Sequence, residues 1–106
     1  MMIVETPIFT RRVEKTLTPE EYRNLQGVLI LKPEVGCLIR GSGGLRKLRW
    51  AVSGRGKRGG IRVIYYWASR WDIILMLYLY AKNECADLTS KEIKVLRKVV
   101  EEEYHG

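Results

Sequence analysis

The sequence predicts an α+β fold in which an antiparallel sheet is packed by two N-terminal helices and one C-terminal helix. Two helix starts are marked by capping boxes, in which Thr18 and Thr89 each stand three residues before a glutamate. Between the boxes, three consecutive runs have the alternating or continuous apolar patterns of strands. Because no helix separates those strands, the element order β-α-α-β-β-β-α indicates α+β and not an alternating α/β fold.

Length and composition indicate one globular domain that spans residues 1–106. Apolar residues make up 46% of the chain, and no apolar run approaches the roughly 18 residues of a membrane span. No signal-peptide pattern is visible at the N-terminus, so we expect a cytoplasmic protein without a membrane partner. Cys37 and Cys85 lie far apart in the sequence, and two reduced thiols are favoured over a disulfide.

The first third of the chain is predicted to form one strand and two helices. A short apolar run at residues 2–5 predicts the strand, and near-helical spacing of apolar residues in 8–15 predicts the first helix. The second helix begins after the Thr18 cap and ends near Lys32, just before a proline. Gly27 interrupts this helix, and we expect it to permit close packing against the sheet or the first helix.

The next part of the chain is predicted to be a glycine-rich loop, residues 33–44, followed by the strands LRKLRWA, IRVIYYW and IILMLYLY. Strand side chains alternate between faces, so Lys47 and Arg49 share one face of the first strand. On the second strand, Arg62 and Tyr66 share a face. The third strand is apolar on both faces and is expected inside the sheet. The final helix carries its apolar stripe at Ile93, Leu96, Val99 and Val100.

Positive charge is concentrated in the middle of the chain. The sequence contains 19 basic and 12 acidic residues, yet no Asp or Glu occurs between Val35 and Trp71. The nine cations of that stretch are Arg40, Arg46, Lys47, Arg49, Arg55, Lys57, Arg58, Arg62 and Arg70. The net charge of +7 is therefore local, and a local positive field most naturally binds a polyanion such as a phosphate backbone.

Residues 54–59 match the G-x-G-x-x-G pattern of dinucleotide-binding folds. In those folds the pattern opens a helix, whereas here it leads into a predicted strand, so a dinucleotide site is excluded. We interpret the segment as a loop whose glycines let the backbone approach a phosphate and whose Lys57 and Arg58 supply charge. A solvated hairpin tip is the alternative interpretation.

Aromatic residues of the predicted strand IRVIYYW offer stacking surfaces for nucleic-acid bases. Tyr66 shares a face with Arg62 and is the stacking candidate, whereas Tyr65 and Trp67 are expected to pack under helices. The candidates for RNA or ribosome binding are Arg46, Arg55, Arg58, Tyr66 and Asn83.

The residue types near the cations limit the possible chemistry. No Ser-His-Asp set, Cys–His pair or carboxylate pair can be assembled there, and we expect neither a metal nor another cofactor. Lysine and arginine suit cleavage of RNA by its own 2′-hydroxyl, because cations stabilise the pentavalent phosphorane and a crowded lysine can move protons. The candidate catalytic residues are Arg62, Lys57, Lys82, Arg49 and Lys47.

The stretch GLRKLRWAVSGRGKRGGIRVIYYW, followed by LYLYAKNECADLT, resembles the HigB branch of the RelE/ParE superfamily of type II toxin–antitoxin toxins. The resemblance implies a RelE-like fold and ribosome-dependent cleavage of mRNA in the A site. It also implies inhibition by a cognate antitoxin, usually a HigA-like protein with a helix-turn-helix domain. We expect a monomeric free toxin and an oligomeric toxin–antitoxin complex.

The resemblance also suggests residue roles. By position, Lys47 and Arg49 match the basic strand residues of RelE-type enzymes, and Arg62 matches the arginine that contacts the scissile phosphate. Lys57 and Arg58 match the KRGG loop of the HigB branch.

The chain departs from the RelE branch at two positions. Asn83 stands where that branch has a second basic residue acting as proton donor, and residues 86–89 lack its aromatic hydroxyl. The general acid and base therefore stay open, with Lys82 and Lys57 as the candidates.

Two other functions stay open. A ParE-like inhibitor of DNA gyrase has the same fold and needs no nuclease groove, and a non-catalytic RNA- or DNA-binding module also fits the cations. The three strand cations Lys47, Arg49 and Arg62 favour the nuclease.

Overall fold

The computed structural model describes residues 1–52, 60–84 and 87–104 of the chain. Its elements are β1 (Met2–Glu5), α1 (Pro7–Thr16), α2 (Pro19–Leu31), β2 (Cys37–Leu38), β3 (Leu45–Trp50), β4 (Ile61–Ala68), a 3-10 helix (Ser69–Trp71), β5 (Ile73–Ala81) and α3 (Ser90–Glu103). The predicted α+β fold, with two N-terminal helices and one C-terminal helix, is confirmed.

The five strands form one mixed sheet in the order β1-β5-β4-β3-β2. Strands β2 to β5 are antiparallel to their neighbours, and β1 adds a parallel edge beside β5. The sequence predicted neither the parallel edge nor β2. A two-residue strand is too short to show periodicity, and the direction of β1 depends on a pairing with residues about seventy positions away. The apolar strand β5 lies inside the sheet, as predicted.

Both predicted capping boxes are present. Thr18 N–H donates to Glu21 Oε1 (2.8 Å) and Glu21 N–H donates to Thr18 Oγ1 (3.1 Å). The Thr89–Glu92 pair repeats these two hydrogen bonds at the same distances. Each box satisfies backbone donors that the first helical turn otherwise leaves without a partner, and so fixes where α2 and α3 begin.

The sheet separates two apolar clusters. The first lies between one face and helices α1 and α2, and includes Phe9, Val13, Leu25, Leu29, Val63 and Tyr65. The second lies against α3 and includes Leu45, Ile64, Leu75, Leu77 and Val100. Alternate residues of β4 supply the two clusters, and Tyr65 and Trp67 both belong to the first. The prediction that these two aromatic residues pack under helices is confirmed.

A bulge in β5 interrupts this alternation. Ile64 pairs with Tyr78, whereas the next residue of β4, Tyr65, pairs with Met76. Leu77 is the extra residue, and both Leu77 and Tyr78 therefore contact the second cluster. The bulge changes which β5 residues face α3.

The connection between β2 and β3 is a tight turn that depends on glycine. Gly41, Gly43 and Gly44 have φ values of 70°, 73° and 106°. Ser42 is buried at its centre, donating to Ile39 O (2.6 Å) and accepting from Leu45 N–H (3.0 Å). Residues with a side chain are strained at such φ values, so the glycines set the position of β2 beside β3.

Gly27 does not have the predicted role. The residue is exposed on α2, and a Cβ added to it meets no atom within 4 Å. The buried face of α2 is formed instead by Leu25 and Leu29. The expectation of a close helix contact at Gly27 is wrong.

The helices are short: α1, α2 and α3 have 10, 13 and 14 residues. Within the described residues, none combines the length and the apolar character that crossing a membrane requires.

Candidate functional site

Three neighbouring strands place Arg49, Arg62 and Tyr80 in one row across the sheet. Arg49 of β3 is the register partner of Arg62 of β4, and Arg62 is the register partner of Tyr80 of β5. Side chains of directly opposed residues emerge on the same face, with Cβ atoms about 5 Å apart. Two arginines thus stand side by side on the face that packs against α3.

Lys47 adds a third cation to this face. It lies two residues before Arg49 on β3 and pairs with Ile64, a residue of the second cluster. Strand alternation predicted that Lys47, Arg49 and Arg62 share one face, and the structure brings them there. Like charges this close repel one another unless an anion or an acidic side chain lies between them.

The three cations differ in exposure. Arg49 is exposed and Lys47 is half-buried, whereas Arg62 is only 7% exposed. The Arg62 guanidinium donates through Nη1 to the carbonyl of Ile61 (3.3 Å). Arg62 is therefore the deep cation of the row, and Lys47 and Arg49 are the cations open to solvent.

A groove of about 610 Å³ runs beside β3. Its cations are Arg40, Lys47 and Arg49, and its apolar wall includes Ile64, Leu88 and Ile93. The last two belong to the start of α3 and the residues before it, so the helix forms one side of the groove. We call this space the cationic groove.

Asp87 is the acidic residue among the described side chains that line the cationic groove. Its Oδ1 accepts from Lys47 Nζ (3.3 Å) and from Leu88 N–H (3.0 Å). The slight desolvation of this exposed carboxylate acts to raise the pKa of Asp87, but these hydrogen bonds and the charges of Lys47 and Arg49 outweigh it and lower the pKa. The carboxylate therefore stays ionised at neutral pH and occupies part of the positive field.

Lys82 and Asn83 lie in the turn that follows β5, and both are exposed. The Lys82 N–H donates to Gly60 O (3.2 Å), and the preceding Ala81 pairs with Ile61. The turn thus begins two positions beyond the Arg62–Tyr80 pair. This proximity brings the Lys82 backbone to the same end of the sheet as Arg49 and Arg62.

An ion pair anchors this turn to α1. Glu84 accepts through Oε1 from Ala81 N–H (3.1 Å) and through Oε2 from Arg12 Nη2 (2.6 Å). Arg12 Nε also donates to Leu79 O, and its guanidinium carbon lies 4.9 Å from the centre of the Tyr78 ring. Sequence reasoning missed Arg12, Glu84 and Asp87 as site-shaping residues. No local signal reveals them, because Arg12 contacts residues 67 and 72 positions away and Asp87 contacts a lysine 40 positions away.

Other predicted binding residues occupy different surroundings. Arg46 Nη1 donates to the carbonyls of Glu34 (3.1 Å) and Gly36 (2.8 Å), so its guanidinium holds the loop before β2. Tyr66 is half-buried beside the second cluster, with Gly44 against its ring. It lies four residues along β4 from Arg62, about 13 Å at the usual strand rise. Arg55, Lys57 and Arg58 lie outside the described residues.

No group of three or more metal-ligating side chains comes together in residues 1–52, 60–84 and 87–104. The cationic groove itself offers the single carboxylate of Asp87 beside three cations, a donor set that does not suit a divalent metal. The chemistry available to the groove is that of lysine and arginine: binding an anion, stabilising developing negative charge and moving protons.

The chain matches the model of one protein family, and its fold is similar to that of a solved structure. Residues 38–105, more than half of the chain, match the family model described as "RelE toxin of RelE / RelB toxin-antitoxin system". The fold is similar to the solved structure of a double mutant of the E. coli toxin RelE in the free state. The TM-score is 0.59, with 13% sequence identity, over 80% of this chain and 86% of that one. At this identity the structural similarity shows the fold alone.

Proposed function

The chain belongs to the RelE toxin family of RelE/RelB toxin–antitoxin systems, and we propose that it is a ribosome-dependent endoribonuclease that cleaves translated mRNA in the A site. The observation that carries the proposal is the cation row. Arg49 and Arg62 are cross-strand partners on one sheet face, with Lys47 beside them at an open groove. A gyrase inhibitor or a simple binding module has no need of a deep arginine behind two open cations.

RNA binding begins with the open cations. A phosphate that enters the cationic groove meets Arg40, Lys47 and Arg49, and competes with Asp87 for the Lys47 ammonium. Charge-assisted hydrogen bonds from arginine to phosphate are frequently bidentate, which fixes the orientation of the phosphate as well as its position.

Cleavage then requires attack by the ribose 2′-oxygen on the adjacent phosphorus. The 2′-hydroxyl loses its proton to a base, the bond from phosphorus to the 5′-oxygen breaks, and the 5′-oxygen takes a proton from an acid. The products are a 2′,3′-cyclic phosphate and a 5′-hydroxyl end. Arg49 and Arg62 stabilise the additional negative charge that the phosphorane carries, because their side chains are already in place before the reaction.

The proton carriers are lysines in this proposal. Lys82 is a candidate because its backbone lies next to the start of β4, two positions along the ladder from the Arg62–Tyr80 pair. Lys57 of the KRGG stretch is the second candidate by its sequence alone. Lys47 lines the cationic groove and is a further candidate. The KRGG stretch and Asn83 also support placing the chain in the HigB branch, with a HigA-like helix-turn-helix antitoxin and an oligomeric complex.

Mapping of mRNA ends in cells tests the proposal. We expect expression of the wild-type chain to produce new 5′ ends in translated messages, aligned to the reading frame. Arg49→Ala and Arg62→Ala should remove these new 5′ ends. Arg62→Lys keeps a positive charge at that position, so it distinguishes loss of charge from loss of folding as the cause. Arg23→Ala is the matched control, since it removes an exposed cation from α2 on the other side of the sheet.

Other results of this experiment would support one of the two alternative functions. Growth arrest with intact mRNA and inhibited DNA supercoiling supports the gyrase inhibitor instead. Intact mRNA without growth arrest supports the non-catalytic binding module. Cuts that persist unchanged in Arg49→Ala and Arg62→Ala contradict the assignment of the cation row.

A further inference from the structure

The turn that follows β5 is closed from both ends by one residue, Glu84. Its backbone N–H donates to Ala81 O (3.0 Å), and its carboxylate Oε1 accepts from Ala81 N–H (3.1 Å). Residues 82 and 83 are therefore the two central positions of a tight turn. Because the first of these is Lys82, the place of a candidate proton carrier depends on a side chain two residues further along the chain.

The second carboxylate oxygen of Glu84 joins this turn to α1. Glu84 Oε2 accepts from Arg12 Nη2 (2.6 Å). Arg12 also donates through Nε to the Leu79 carbonyl, and its guanidinium carbon lies 4.9 Å from the centre of the Tyr78 ring. One planar guanidinium thus contacts both β5 and the turn at its end. We call Arg12 and Glu84 the turn clamp.

The place of Arg12 is set by where β1 ends. β1 pairs only with residues 73–76 of β5, so the rest of that edge has no strand beside it on this side. Donors from the start of α1 and from the helix itself take over there: Thr6 Oγ1 donates to Leu77 O (2.9 Å), and Arg12 Nε donates to Leu79 O. A covered carbonyl needs such a donor, and the fork of arginine has further N–H groups that reach Glu84.

The backbone of Lys82 contacts the strands that carry the cation row. Its N–H donates to the carbonyl of Gly60 (3.2 Å), the residue directly before β4. Gly60 has a φ of 69°, and a Cβ added there would overlap the Trp50 carbonyl, so glycine permits this close approach of β3, β4 and the turn. The contact lies two positions along the ladder from the Arg62–Tyr80 pair.

We propose that the turn clamp positions Lys82 for proton transfer in the cleavage reaction. The inference rests on the proposed function, in which Lys82 is a candidate proton carrier. Neither Arg12 nor Glu84 is among the described residues that line the cationic groove, so the clamp acts on the turn and not on the RNA. Both are positioning residues. A displacement of about 1 Å at a reacting group costs up to about 10²-fold in rate, so a held turn matters more for the reaction than for folding.

The clamp is suited to this role because its loss leaves the fold in place. The Arg12 and Glu84 side chains are 29% and 47% exposed, and ion pairs this open to solvent contribute little to stability. The core clusters do not depend on either residue. A variant without the clamp should therefore be a folded protein with a freer turn.

Amide hydrogen exchange tests the clamp independently of any cleavage. Glu84→Ala should raise the exchange rates of the Ala81 and Lys82 amides by about tenfold, because Ala81 N–H loses its acceptor and the turn is no longer held. Exchange in the buried strands and the midpoint of urea unfolding should not change. Glu101→Ala is the matched control, since it removes another partly exposed ion pair, with Arg97 on α3 (2.9 Å).

Single-turnover cleavage on stalled ribosomes tests the catalytic part. Glu84→Ala should lower the rate at saturation by about tenfold or more, while the concentration that gives half the maximal rate stays at the wild-type value. Glu84→Gln keeps an acceptor for Ala81 N–H without the ion pair, so its rate should lie between the two. In a Lys82→Ala background, Glu84→Ala should cause no further loss, because the clamp acts through Lys82. Glu101→Ala should cleave like the wild type.

Four results would overturn the proposal while leaving the nuclease intact. The first two are wild-type cleavage by Glu84→Ala or by Lys82→Ala. The third is a loss in Glu84→Ala that persists in full in the Lys82→Ala background. The fourth is unchanged exchange at Ala81 and Lys82, or faster exchange throughout the strands with a lower unfolding midpoint, which identifies a purely structural role. Absence of cleavage by the wild type is a different result, since it overturns the proposed function and the role of the clamp together.

Discussion

At the scale of single residues, the cationic groove is shaped by contacts between residues that are far apart in the sequence. Alternation along β3 and β4 predicted that Lys47, Arg49 and Arg62 share a face, because that inference needs only the strand period. The Lys47–Asp87 ion pair was not predictable, because it joins β3 to the residues before α3. Alternation also did not predict that Arg62 is buried while Arg49 is exposed, which depends on the neighbouring elements.

Asp87 should weaken RNA binding, since its carboxylate accepts from the Lys47 ammonium that a phosphate needs. We expect Asp87→Asn to increase affinity for a short single-stranded RNA by roughly twofold to fivefold at low salt, the range of an exposed ion pair. Fluorescence anisotropy across a salt series measures this effect. Glu102→Gln, on the exposed end of α3, is the control for net charge; an equal gain there means that the effect is not local to the groove.

Tyr22 should make the fold sensitive to alkali. Burial first, and then the hydrogen bond to the Glu5 carboxylate, raise the pKa of Tyr22 above its ordinary value of 10.0. The unfolded chain therefore loses the phenolic proton at a lower pH than the folded chain, and stability must fall as the pH rises above the ordinary value. Urea unfolding between about pH 9 and pH 11 should show this decline, and Tyr22→Phe should flatten it. An equally steep decline in Tyr22→Phe contradicts the assignment.

At the scale of elements, the sequence was most informative where the signal is local. The capping boxes at Thr18 and Thr89 predicted the starts of α2 and α3, and the apolar runs predicted β3, β4 and β5. Three features depend on distant pairing and left no local pattern: the parallel β1 edge, the short β2 strand and the β5 bulge.

Two glycines should respond to alanine in opposite directions. Gly27→Ala should stabilise the protein by about 0.5–1 kcal/mol, because an exposed helix interior favours alanine and the added methyl meets open space. Gly43→Ala should destabilise it, because φ is +73° there and the new Cβ would lie 2.7 Å from the Arg97 side chain. Chemical denaturation of the two variants measures both effects; a Gly27→Ala protein less stable than the wild type contradicts the open surroundings described here.

At the scale of the whole molecule, the chain divides its surface by charge. The acid-free stretch between Val35 and Trp71 supplies β3, β4 and three cations of the groove region, while acids concentrate elsewhere. One face of the sheet packs against α1 and α2 to form a core, and the other packs against α3 and carries the cationic groove. This arrangement places the proposed catalytic surface beside α3, on the face of the sheet opposite α1 and α2.

The central claim is that the cations on the β3–β4 face cleave mRNA on the ribosome. Its most direct test is the single-turnover rate of cleavage of an A-site codon on stalled ribosomes, at saturating concentrations of each variant. We expect Lys47→Ala and Arg49→Ala to lower this rate by about 10²–10³-fold, the usual loss when one group that stabilises transition-state charge is removed. Arg23→Ala should cleave at the wild-type rate. Wild-type rates for both groove variants would contradict the claim.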